Sequence, residues 1–146
     1  MKIRRDFPFQ ELIGWRVDEM GDGRAVLSLD LEEKHLSPIS LAHGAVAFTL
    51  VDTAMGAAVV SMLEPGEFPT TIEITIRYLK GISDGTVRAV ARTVGRSGQV
   101  VQLDAEVSSG EVVVARASGD FLISKFRAQP EAEGAPPPPL DSDEVR

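Results

Sequence analysis

Residues 44–63 read GAVAFTLVDTAMGAAVVSML, twenty residues with a single charge, Asp52, near the middle. Aspartate is a poor helix former and is seldom buried without a partner or a function, so its position inside an apolar run needs a reason. His43 and Gly44 stand at the entrance to the run, and Pro65-Gly66 closes it. The spacing predicts one long helix from Gly44 to about Leu63. Its apolar residues run all the way round, which predicts a helix wrapped by other structure, with Phe48, Met55 and Met62 in the core.

The surrounding sequence is strand-like. Phe7 to Ile13 reads as a short helix or capping turn and Gly14 to Met20 as a first strand. After a turn at Gly21-Asp22-Gly23, Arg24 to Leu31 alternates, with Ala25, Leu27, Leu29 and Leu31 on one side and Ser28 and Asp30 on the other. Glu32 to Ala42 is a loop in which His35 has no evident role. Four β-rich segments follow the helix, Thr70 to Ile82, Thr86 to Val94, Val100 to Ser108 and Val112 to Ile123, separated by glycine-containing turns that include Gly95-Arg96-Ser97-Gly98. A hairpin, one helix and a meander predict an α+β fold, an antiparallel sheet curled around the helix.

At 146 residues the chain suits one domain, read here as residues 1–127, followed by a proline- and acid-rich tail over 128–146 expected to be disordered. With no cysteine and two histidines, disulfides, thiolate nucleophiles and cysteine-type zinc sites are excluded, and neither a metal nor another cofactor is expected. Basic residues near the amino terminus have no apolar run behind them, so no secretory signal is expected and the cytoplasm is the expected compartment. A membrane span is disfavoured, because a central aspartate costs roughly 2.5–3.5 kcal/mol on insertion scales. The net charge of −7 argues against nucleic acid. From Ile74 to Leu103, however, five basic residues (Arg77, Lys80, Arg88, Arg92, Arg96) face one acid, Asp84, a local excess that suits a small anion. Arg88 and Arg92 read as a solvated outer face.

Gly44 and Asp52 lie about 12 Å apart along a helix and about 80° apart around it. An aspartate side chain does not span that gap, so a site using both on one carbonyl requires two chains. A helix amino terminus presents free N–H groups, and glycine lets a substrate approach them, which suits oxyanion stabilisation. Asp52 suits a general base or a nucleophile. His43, at the helix start, is expected to support the loop rather than move a proton.

The residues H-L-S-P-I-S-L-A-H-G-A, the aspartate nine residues after His43, and T-T-I-E-I-T-I-R-Y-L-K together resemble the hotdog-fold acyl-CoA thioesterases of the PaaI type, over about Gly14 to Ile123. The resemblance implies a curved antiparallel sheet around one central helix and hydrolysis of an acyl-CoA thioester between two subunits of a homodimer or homotetramer. It places the catalytic acid at Asp52 and the His-Gly pair at His43 and Gly44. Ser37 falls where many members carry an asparagine, Ser40 where a glycine is frequent, and Ala45 at the second glycine of His-Gly-Gly. Thr71 falls where some members carry a hydroxyl near the attacking water, and Gly95-Arg96-Ser97 at a turn that meets coenzyme A phosphates. Two alternatives stand beside hydrolysis: a non-catalytic acyl-CoA-binding protein, which Ser37 keeps open, and an enoyl-thioester hydratase, whose pattern has the histidine after the aspartate.

Overall fold

The computed structural model describes residues 7–125; the expected tail at 128–146 lies outside the described residues. A short helix α1 (Pro8–Ile13) leads into strands β1 (Arg16–Gly21) and β2 (Arg24–Asp30). The long helix α2 (Gly44–Val60) is followed by β3 (Glu67–Tyr78), β4 (Thr86–Ser97), β5 (Val100–Ser109) and β6 (Val112–Lys125). The six strands form one antiparallel sheet in the order β1-β2-β4-β5-β6-β3. Leu50, Val51, Met55 and Val59 of α2 are fully buried together with Leu27, Leu29 and Val87 of the sheet, so the helix fills the sheet's concave side. The expected α+β architecture is the observed one.

Close approach of helix to sheet depends on Gly119 in β6. A Cβ there would lie 2.8 Å from the Met55 sulfur and 3.0 Å from the Glu73 carbonyl oxygen, and the backbone atom has nowhere to yield. At the other end of α2, the Ser61 hydroxyl donates to the Ala58 carbonyl (2.7 Å) and accepts from the Gly23 N–H (2.8 Å), tying the helix terminus to the β1–β2 turn. Gly23 sits at φ +73°, where L-residues are strained, under the Met62 side chain. This clamp ends the helix at Val60, three residues before the predicted Leu63.

Four other expectations are corrected. Residues Gly95, Arg96 and Ser97 belong to strand β4, not to a turn; a register shift between Thr93 and Gly95 makes Val94 the extra residue of a β-bulge, and the turn is Gly98-Gln99 with Gly98 at φ +61°. Ser28, expected outside, is buried, as is Val26. Opposite Val26, Glu19 pairs with Arg24 and with Arg88 (3.9 Å), which roofs that outer face. His35 is buried and structural: its Nδ1 accepts from the Glu32 N–H (2.9 Å), so Nε2 carries the proton and donates to the Ile13 carbonyl (2.7 Å). Finally, α2 is not wrapped on every side. Ala45, Phe48 and Val60 are exposed, Phe48 to 40%, so within one chain a strip of helix that carries apolar residues stays uncovered.

Candidate active site

The amino terminus of α2 is organised by His43. Its backbone is extended (φ −61°, ψ 140°), its Nδ1 accepts from the Ala45 N–H (3.0 Å) and its carbonyl from the Val46 N–H (2.9 Å). Two of the helix's first N–H groups are thereby used. The Gly44 N–H has no protein acceptor among the described residues, and it is the one that a bound oxygen can take. The loop before it is braced by the buried His35, whose carbonyl accepts the His43 N–H (2.9 Å).

His43, Gly44 and Ser37 line a cleft of about 430 Å³ together with Tyr78 and Ile82. Tyr78 was not foreseen. Its hydroxyl donates to the Gly44 carbonyl (2.9 Å), and its ring lies 3.3 Å from where a Cβ on residue 44 would sit, so Gly44 makes room for this ring as well as for a ligand. Partial burial raises the Tyr78 phenol above its ordinary value, itself well above neutral pH, so the hydroxyl is protonated and donates. The only sign in the sequence is that it is the chain's sole tyrosine, within T-T-I-E-I-T-I-R-Y-L-K.

Asp52 lies two turns further along α2, half-buried, and accepts a 2.8 Å hydrogen bond from the Thr71 hydroxyl at one oxygen, Oδ1. A register shift between Thr71 and Glu73 makes Ile72 an extra residue in β3, and the bulge turns Thr71 towards the helix opposite Phe121. Asp52 and Thr71 line a second cleft, of about 420 Å³, whose lining shares no residue with the first. The structure thus brings Asp52 to Thr71, and Ser37 and His43 to Gly44, and keeps the two groups apart within one chain. Gly95, Arg96 and Ser97 line neither cleft. Arg96 donates to the Gly98 carbonyl (2.9 Å) and lies close enough to Glu67 to help lower that carboxyl's pKa, after the Glu64 N–H and Lys125.

Residues 39–116, over half of the chain, match the sequence profile of the Thioesterase superfamily. The chain belongs to that superfamily. A 1,4-dihydroxy-2-naphthoyl-CoA hydrolase of Listeria monocytogenes is 31% identical over 96 residues, 64% of this chain and 78% of the relative. A conserved protein of Pseudomonas aeruginosa superimposes with a TM-score of 0.78 at 30% identity, covering 82% of this chain and 95% of that one. A mutant of the phenylacetic acid degradation protein PaaI of Thermus thermophilus superimposes with a TM-score of 0.73 at 26% identity, covering 80% and 98%. The fold of this superfamily member is therefore the hotdog fold, and its chemical class is thioester hydrolysis. Among the described residues, no helix is long and apolar enough to cross a membrane.

Proposed function

We propose that the protein hydrolyses an acyl-CoA thioester to the free acid and coenzyme A at a site shared by two copies of the chain, as a homodimer or within a homotetramer. The Gly44 N–H of one chain binds the carbonyl oxygen, and Asp52 of the other activates water or attacks the carbonyl carbon itself. With water as nucleophile, its proton passes to Asp52, the C–O bond forms, the C–S bond breaks and the thiolate leaves with that proton as free coenzyme A. Thr71 holds one Asp52 oxygen and leaves the other for the water. Ser37 lies beside the carbonyl in this reading, and His43 supports it as the cap that leaves the Gly44 N–H free. No further cofactor is required.

The observation that carries this reading is the separation of the two half-sites. Gly44 and Asp52 open into different clefts of one chain, and the strip of α2 near Asp52 that carries Phe48 is uncovered. A second copy whose helix terminus meets Asp52 completes the site and covers that strip. The Listeria relative acts on a coenzyme A thioester by name, which favours the same substrate class here.

The test is thiol release from a panel of acyl-CoAs, with mixing of two defective variants. Asp52→Asn should lower kcat about 10²–10⁴-fold. Gly44→Pro deletes the N–H at a position where proline suits a helix, after a residue already extended; Tyr78 must yield a few tenths of an ångström. Loss of that donor should cost about 10²–10³-fold. Co-refolding the two variants should restore about a quarter of wild-type activity, because half the dimers then carry one intact site. No restoration would place both groups in one chain, and tight acyl-CoA binding without turnover by wild type would replace hydrolysis with binding.

A further inference from the structure

The cleft beside Asp52 extends well beyond what the hydrolysis needs. It follows the helix stripe Asp52, Gly56, Val60, spaced four residues apart and so spanning about 12 Å. Trp15, Met20 and Phe121 face the stripe across the cleft. Phe121 and Trp15 are buried, and two further rings pack edge-on to Trp15: Phe7 and Phe9, each 5.3 Å away. Polar groups are few. The Thr71 hydroxyl holds one Asp52 oxygen, Thr53 adds one further hydroxyl, and Gln10 is held by its donor bond to the Trp15 carbonyl (3.0 Å). Such a cleft, apolar along its length with a carboxylate at one end, matches a ligand that has one reacting polar atom and a long or broad apolar remainder.

Resting on the hydrolysis reading above, which puts the acyl group in this cleft beside Asp52, we infer that Gly56 is the residue that sets the cleft's capacity and with it a selection of bulky apolar acyl groups, arylacyl or medium-chain, over acetyl-sized ones. Gly56 lies at the middle of the stripe, one helical turn beyond Asp52. A Cβ at this position would meet only the Phe121 ring, at an ordinary contact distance of 3.7 Å, so the backbone does not need glycine for lack of space. Glycine is moreover a poor residue for a helix interior, and alanine would favour the helix. What the missing side chain provides is room above the helix, between Asp52 and Phe121. A leucine there would project into the cleft where the tail of a long acyl group lies.

The experiment compares kcat/KM for acetyl-, octanoyl- and benzoyl-CoA in wild type, Gly56→Ala and Gly56→Leu, with thermal melts of each. Wild type should favour octanoyl- or benzoyl-CoA over acetyl-CoA at least tenfold, and whichever of the two is faster separates a medium-chain from an aryl substrate. Gly56→Leu should cut that preference at least tenfold, and Gly56→Ala should fall between the two while melting no lower than wild type. Equal rates on all three thioesters in wild type, or a preference unchanged in Gly56→Leu, would overturn the assignment. If wild type turns over none of them, the hydrolysis reading fails by itself and calorimetry decides the subsite. Octanoyl-CoA should then bind wild type at least tenfold tighter than Gly56→Leu, with free coenzyme A binding both alike, and equal octanoyl-CoA affinities would overturn it.

Discussion

The Tyr78 hydroxyl donates to the Gly44 carbonyl at 2.9 Å, and the N–H of that same peptide, on Ala45, donates to His43 Nδ1 at 3.0 Å. The three groups form one chain of hydrogen bonds. Because Nδ1 accepts, the His43 proton resides on Nε2, and the imidazole is held in one tautomer at the edge of the Gly44 cleft. Tyr78 is thus a positioning residue for the helix terminus. Its replacement by phenylalanine keeps the ring against Gly44 and removes only the donor. Tyr78→Phe should lower kcat by about tenfold, the effect of one hydrogen bond of about 1.4 kcal/mol, with KM little changed. Long-range nitrogen NMR reads the tautomers of the chain's only two histidines. His43 should become a mixture in the variant while His35, bonded elsewhere, stays as it was; an unaltered His43 signal with unaltered kcat would remove Tyr78 from this role.

Among the described residues the Thr71 hydroxyl reaches only Asp52, and both side chains are partly open to solvent, so their bond serves the carboxylate's orientation more than stability. Thr71→Val conserves shape and deletes the donor. It should lower kcat several-fold, up to about tenfold, with a melting temperature close to wild type. In an Asp52→Asn background the same substitution should do almost nothing further, since two residues acting through one contact are not additive. Full additivity in that cycle would show that Thr71 acts independently of Asp52.

The order of elements was legible in the sequence because each rests on local patterning: one apolar run stopped by Pro65-Gly66, and strands divided by glycine turns. Asp52 was legible as a charge without a local reason. What escaped depends on register and on neighbours distant in sequence. Gly95 looks like the start of a turn, and only the pairing of β4 with β5 shows a bulge. Thr71 reaches Asp52 because a second bulge in β3 turns it, which no spacing rule reveals. Tyr78 lies 34 residues from the carbonyl it holds. Phe48 reads as core by composition and is 40% exposed, since the strip around it has no cover within one chain.

His35 joins three segments with two ring bonds and two backbone bonds: Nδ1 accepts from the Glu32 N–H, Nε2 donates to the Ile13 carbonyl, its N–H donates to the Glu32 carbonyl, and its own carbonyl accepts from the His43 N–H. His35→Leu keeps much of the volume and strands two polar groups, each of which costs about 1–3 kcal/mol when left unpaired. A loss of about 3 kcal/mol, or roughly 10 °C in Tm, is expected by calorimetry. Activity measured well below the new Tm should also fall, because the loop carrying Ser37 and His43 is loosened. A melt within a degree or two of wild type would show that these bonds contribute little.

Asp30 joins the first three strands of the sheet at their outer rim. It accepts from both terminal nitrogens of Arg16 (2.8 and 3.3 Å) and from the Thr86 hydroxyl (2.7 Å). These bonds, that of Arg16 foremost and that of Thr86 next, hold the Asp30 carboxyl below the ordinary aspartate range. A group with a lower pKa in the folded than in the unfolded chain binds protons more weakly when folded. Its stabilising contribution is therefore fully present above the unfolded value, about 3.9, and is lost as pH falls through the folded one. The side chain is well exposed, 63%, so salt screens the ion pair and the contribution is small. Asp30→Asn should lower Tm slightly at pH 7, and the gap between variant and wild type should close as the pH is taken down from about 5 towards about 2. The gap at pH 7 should also narrow in about 1 M salt. A gap that stays constant across this acid range would mean that the three bonds act by shape alone and that the carboxylate's charge contributes nothing.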